Sequence, residues 1–379
     1  MKRTVCFFMV AAVFLCLLPV GAQAVEVGGK SALLMDVATG TVLYAKNEHE
    51  KLHPASVTKI MTMLLIMEAV DGGTLNWTDT VTASATAAAK GGSQIYLKEN
   101  ETMTVEDMVK SIAVSSANDC ACAMAEHLAG SEEAFVEKMN ARAQELGMAD
   151  THFVNCTGLD DSADEKSHLT SAHDIALMSR QLLKHHPDIK RFTTIWMDTV
   201  RGGAFGLSNT NKLVRFYDGA TGLKTGFTAA AGYCLSASAK RGDMELVAVV
   251  MGCDSSKNRF DACRKLLDHG FASYTLAQPK LEQPVTVPVV LGQQQTVEAV
   301  PGNEDALLID KAHSPSLATD ITLDESVKAP VSKGQRLGTL TMRAGQQVLV
   351  QIPLVAKEAV PRLTFGQVFV NILKKLCMG

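Results

Sequence analysis

Two stretches far apart in the chain read as paired strands, and most of what lies between them reads as helix. The first, SALLMDVATGTVLYAKN (Ser31 to Asn47), alternates around a Thr39-Gly40 turn, which is a β-hairpin signal. The second, GYCLSASAKRGDMELVAVVMG (Gly232 to Gly252), is a pair of apolar strands around Arg241-Gly242-Asp243. Between them, Pro54 precedes a helix whose apolar positions run Ile60, Met61, Leu64, Leu65 to Val70 and stop at Gly72-Gly73. Asp119 to Ala129 is alanine-rich and helical. Ser131 to Leu146 follows, with Ser131 as N-cap, acids in the first turn and Gly147 as stop. Thr170 to His186 is closed by Pro187, and Asn258 to Tyr274 is a last helix beyond the second strand pair. An early hairpin, a helical middle and late strands describe an α+β domain in which distant segments share one antiparallel sheet flanked by helices.

The 379 residues leave room for more than this domain. From about Gln278 the pattern changes to PVTVPVVLG and GTLTMRAGQQVLVQIPLVA, strands with turns and no helix signal. The expected division is residues 25–276 for the α+β domain, 277–360 for a small all-β domain and 361–379 for a terminal helix. In that helix Phe365, Val368, Phe369, Ile372, Leu373 and Leu376 fall on one face, with Gln367, Asn371, Lys374 and Lys375 mostly off it. The helix is too short to span a bilayer, so it suits a membrane surface, or docking on the β domain, which has the same periodicity. At the other end, Lys2 and Arg3 precede an apolar run from Cys6 to Val20 and an Ala22-Gln23-Ala24 cleavage pattern. Residues 1–24 read as a secretory signal, which makes the protein an exported one. An uncleaved anchor is the alternative. A net charge of −4 argues against nucleic acid as a partner. Of nine cysteines, Cys120, Cys122, Cys156, Cys234, Cys253, Cys263 and Cys377 lie beyond the signal. The number is odd, so at least one stays unpaired or pairs between molecules. Cys120-x-Cys122 is poorly spaced for zinc, and no metal or other cofactor is expected.

Three short motifs carry candidate chemistry. In PASVTKIMT, Ser56 at a helix start lies on one face with Lys59. A neutral lysine there can take the proton that makes serine a nucleophile. The free N–H groups of the first turn, including that of Ser56, can bind an oxyanion. In SSAND, Ser116 and Asn118 put a hydroxyl and an amide just before a helix. In TGLKTGFT, Lys224, Thr225 and Gly226 set a cation and a hydroxyl beside bare backbone near a strand, an edge fit for a carboxylate. Taken singly, each is also an ordinary cap or turn: Ser256-Lys257-Asn258 repeats the second motif with no such company. Ser56-Val57-Thr58-Lys59, in contrast, has no second copy of its Ser-x-x-Lys spacing in the chain.

In the order Ser-x-x-Lys, Ser-x-Asn, Lys-Thr-Gly, the set is that of penicillin-binding proteins and class A β-lactamases. The chain resembles the low-molecular-mass penicillin-binding proteins, the serine-type D-alanyl-D-alanine carboxypeptidases of peptidase family S11. GSQIYL, TVEDMVKSIAVSSAND, THFVNCTGLDD, LTSAHDIALM and AGYCLSASAKR extend that resemblance over roughly residues 28–275. It implies a β-lactamase/transpeptidase-like fold and a substrate, the peptidoglycan stem peptide ending in D-Ala-D-Ala. It implies that β-lactams inhibit, and that the terminal helix holds the enzyme on the outer face of the cytoplasmic membrane. It also implies roles: Ser56 as nucleophile, Lys59 as its base and Ser116 as proton shuttle. Asn118 would hold the substrate amide, and Lys224 and Thr225 the terminal carboxylate. Gly226 would let substrate lie against the strand, and the backbone N–H groups of Ser56 and Phe227 would form an oxyanion hole. Some relatives carry histidine where this chain has Phe227, and Cys120 stands where alanine is usual. Rival activities are a D-alanyl endopeptidase, a β-lactamase or a non-catalytic wall-binding or penicillin-sensing module. Against the lactamase, no Glu-x-x-Leu-Asn lies between Asn118 and Lys224; against the sensor, all three motifs are intact.

Overall fold

A computed structural model describes residues 25–160, 165–312 and 316–378. The signal expected over residues 1–24 lies outside them. The hairpin strands Ser31–Asp36 and Val42–Lys46 and the late strands Ala220–Thr228, Gly232–Arg241 and Met244–Cys253 join in one five-stranded antiparallel sheet. Its order is 42–46, 31–36, 244–253, 232–241, 220–228. Leu33 pairs with Val249 across the two chain-distant segments.

Side chains alternate along each strand, so each face of this sheet buries its own set. Leu33, Met35, Val247, Val249 and Met251 pack on the helices Lys59–Asp71, Val105–Ser115, Asn118–Ala129 and Ala172–His185. Ala32, Leu34, Leu246, Ala248 and Val250 pack beneath the helix Ser256–Ser273. Both faces are covered, which is why the central strands read as nearly unbroken apolar runs. Each fully buried Leu, Val or Met contributes about 1.5–3 kcal/mol relative to exposure.

Side-chain caps set most of the helix starts. Thr104, Ser131, Ser171 and Ser255 each accept a hydrogen bond from the N–H three residues on. The strand Tyr274–Ala277, which continues directly from the helix Ser256–Ser273, pairs with Leu307–Asp310. A six-stranded sheet with its own core of Val287, Val297, Leu337, Leu340 and Leu354 makes up the rest of the C-terminal region. Last comes the helix Phe365–Met378. Its start is a capping box: Gln367 Oε1 accepts from Thr364 N, and Thr364 Oγ1 accepts from Gln367 N. Phe365, Phe369, Val370 and Ile372 are exposed on it. Among the described residues no helix is long and apolar enough to cross a membrane.

Candidate active site

Ser56 sits in a single 3-10 turn, Ala55–Thr58, and Lys59 is the first residue of the α-helix that follows. The turn is held from two sides by glycines. A Cβ on Gly226 would come 2.6 Å from the Pro54 carbonyl and 3.1 Å from Val57 N. A Cβ on Gly158 would overlap the Ala55 carbonyl. Ala55 itself has φ of 48°, a left-handed conformation that costs a non-glycine residue energy and that tight packing must enforce. Gly226 thus serves the turn that carries Ser56.

Lys59 is fully buried, and its Nζ donates to Ser56 Oγ at 3.0 Å and to the Thr157 carbonyl at 2.8 Å. Burial pulls its pKa down to about 7, against the opposing influence of Cys156 and Asp119. A large neutral fraction therefore stands against the Ser56 hydroxyl near neutral pH. Ser116 closes the helix Val105–Ser115 in a left-handed conformation, φ 64°, and Asn118 opens the next helix. The Ser116 hydroxyl accepts from Lys224 Nζ at 2.8 Å, and Lys224 also donates to the Thr225 carbonyl. Burial, with Lys59 and Arg259 nearby, holds the Lys224 pKa well below its usual value. Asn118 Nδ2 donates to the Gly91 carbonyl at 2.7 Å, and its buried Oδ1 has no partner among the described residues. An orphaned buried acceptor is costly, and a ligand N–H would satisfy it.

The Lys-Thr-Gly motif lies inside the edge strand Ala220–Thr228, not in a turn at its end. Thr225 Oγ1 donates to Thr210 Oγ1. Phe227 turns its ring outward, 54% exposed, against Tyr233. The fold therefore brings the Ser56, Ser116 and Lys224 motifs to one place, with Lys59–Ser56 and Lys224–Ser116 as its two lysine–hydroxyl pairs.

Several contributors were not singled out from sequence. The Thr157 carbonyl is one, held by a turn in which Asn155 Oδ1 accepts from Thr157 N and Gly158 N. Its segment was visible only as part of the resemblance, since a backbone acceptor has no side-chain signature. Arg259 Nη1 donates to the Gly226 carbonyl at 2.9 Å. Buried His168 accepts from Val154 N at Nδ1, so Nε2 carries the proton and donates to Thr58 Oγ1. Burial lowers its pKa to about 3, keeping it neutral. Cys120 proves to be a core residue with a thiol pushed well up by burial. Cys120, Cys122, Cys156, Cys234, Cys253 and Cys263 are all free and buried. Among the described residues no His, Cys, Asp and Glu cluster is placed to hold a metal.

A serine paired with a buried, partly neutral lysine, beside a second hydroxyl–lysine pair, is the equipment of a serine acyl-transfer enzyme. Residues 19–255 match the family model for D-alanyl-D-alanine carboxypeptidase (peptidase S11), and residues 274–362 match that for the C-terminal domain of penicillin-binding protein 5. The chain belongs to the peptidase S11 family of serine D-alanyl-D-alanine carboxypeptidases. It is 45% identical over 342 residues to D-alanyl-D-alanine carboxypeptidase DacF of Bacillus subtilis, covering 89% of this chain and 87% of the relative. It is 34% identical to D-alanyl-D-alanine carboxypeptidase DacD of Escherichia coli, covering 90% and 89%. Penicillin-binding protein 5 of Haemophilus influenzae superposes with a TM-score of 0.76 at 29% identity, covering 90% of this chain and all of that one. Penicillin-binding protein D2 of Listeria monocytogenes, solved in its ampicillin-bound form, gives 0.59 at 32% identity, covering 65% and 98%.

Proposed function

We propose that the protein removes the terminal D-alanine from peptidoglycan stem peptides through an acyl-enzyme on Ser56. The observation that carries the assignment is the 3.0 Å contact between Ser56 Oγ and a fully buried Lys59. Neutral Lys59 takes the hydroxyl proton as Ser56 Oγ attacks the carbonyl between the two D-alanines. The negative charge on the tetrahedral oxygen falls to the backbone N–H groups of Ser56 and Phe227. The C–N bond then breaks, and the proton taken by Lys59 passes through Ser116, which Lys224 holds by a hydrogen bond, to the departing D-alanine amine. Water releases the shortened peptide from Ser56. Asn118 Oδ1, which has no partner among the described residues, accepts from a substrate amide N–H. Lys224 and Thr225 meet the terminal carboxylate, whose charge restores the ammonium form of a lysine that burial otherwise disfavours.

The carbonyl of a β-lactam would enter the same path, so penicillins inhibit by acylating Ser56. The leader pattern in residues 1–24 supports export. The exposed apolar side chains of the C-terminal helix support seating on the outer face of the cytoplasmic membrane, beside nascent wall. The test of activity is release of free D-alanine from a synthetic stem peptide ending in D-Ala-D-Ala. Release by the native protein and none by Ser56→Ala is expected. Cleavage confined to cross-linked dimers would make it an endopeptidase instead.

A further inference from the structure

A partly buried ion pair ties two segments that reach the site. Glu132 opens the helix Glu132–Glu145, and its Oε2 lies 2.6 Å from Lys90 Nζ, with both side chains largely shielded. Its Oε1 accepts from the Cys156 backbone N–H and from the Cys156 thiol, each at 3.1 Å. Burial opposes the charge on Glu132, yet Lys90 and the Cys156 N–H hold its pKa below the usual carboxylate value. Cys122, and through it Glu126, completes the surroundings.

Two partners of this carboxylate, Lys90 and Cys156, are each one residue from a group that orients the site. Lys90 precedes Gly91, whose carbonyl holds Asn118 Nδ2. Gly92 is so close that a Cβ there would lie 2.8 Å from the same Nδ2. Cys156 precedes Thr157, whose carbonyl holds Lys59 Nζ. The Cys156 carbonyl in turn accepts from Thr62, one turn along the helix that carries Lys59.

We propose that Glu132 is a positioning residue for acylation, tying the Lys90–Gly91 loop that aims Asn118 to the Cys156–Thr157 segment that aims Lys59. It touches neither serine nor substrate. Its worth lies in geometry, since small misplacements of a reacting group cost large factors in rate. The inference rests on the roles given above to Lys59 and Asn118.

The test measures acylation rates by stopped flow across pH with two penicillins. One carries a side-chain amide for Asn118 to grip, and the other, 6-aminopenicillanic acid, lacks it. Lys90→Met cuts only the Asn118 arm. It is expected to slow the amide-bearing penicillin by about tenfold, slow the other far less, and leave the acid limb of the pH profile in place. Glu132→Ala cuts both arms. Lys59 faces Asp119, Cys156, Lys224 and His168. Water admitted to the hole relieves its burial, so the acid limb moves upward as well. Thermal melting identifies any variant that does not fold, and Lys90→Met then decides alone. Equal slowing of both penicillins by Lys90→Met, or native rates in the folded variants, would overturn the inference. Absence of acylation in the native protein would instead overturn the proposed function.

Discussion

Burial acts on Lys59 and Lys224 alike, but their neighbours separate them. Lys59 has Asp119 and Cys156 to hold its pKa near 7. Lys224 faces Lys59 and Arg259, which push it further down. A base is useful when it is unprotonated yet still basic, and a pKa near the working pH meets both needs. Below about 7 Lys59 takes a proton and can accept none from Ser56. Acylation by a penicillin is therefore expected to fall on acidification, with a midpoint near 7 in single-turnover kinetics. The slope there should approach tenfold per pH unit, as for loss of a single base. Lys59→Arg should remove acylation at every pH, since the guanidinium stays protonated. A flat profile between pH 5 and 9, or substantial acylation by the arginine variant, would rule Lys59 out as the base. The spacing put Ser56 and Lys59 on one helix face, but only the order of all three motifs set the pair apart from an ordinary helix start. What fixes the pKa was not readable, because Thr157, Cys156 and Asp119 reach Lys59 from other elements.

At the level of elements, the sheet was legible because its strands carry their own pattern. Ser31–Asp36 and Met244–Cys253 are apolar, flanked by turn residues, and pair in the one sheet that the distant segments were expected to share. The strand Ala220–Thr228 was harder to read. Its sequence, ATGLKTGFT, contains two glycines, and Gly242-flanked Gly232–Arg241 supplies the pairing that makes it a strand. The short pair Thr80–Thr82 with Thr102–Thr104 is likewise held by tertiary pairing and had no sequence signal. The turn at Ser56 shows the same dependence on distant segments, since its shape relies on the absence of side chains at Gly226 and Gly158. Gly226→Ala should therefore push the strand away from the turn. A loss of about 1–3 kcal/mol, typical of overpacking, is expected in urea unfolding, with acylation slowed along with it. Native stability and rate in that variant would mean that the turn does not lean on the strand.

For the whole molecule, the apolar face of the terminal helix matters most. Phe365, Phe369, Val370 and Ile372 are exposed, while Asn371, Leu373, Leu376 and the two lysines expected near the end lie where side chains are not described. Deleting residues 362–379 from the protein lacking residues 1–24 should abolish co-sedimentation with anionic vesicles and leave the melting temperature unchanged. Equal binding by both forms, or loss of folding, would assign the helix to the core of the β region. Across the whole molecule, the central claim is that three chain-distant motifs assemble one acyl-transfer site around Ser56. Intact-mass spectrometry of the protein after exposure to benzylpenicillin tests this most directly. The expected result is a gain of one penicillin mass per molecule, located by digestion to the peptide containing Ser56 and absent in Ser56→Ala. An adduct on any other residue, or one that persists in Ser56→Ala, would contradict it.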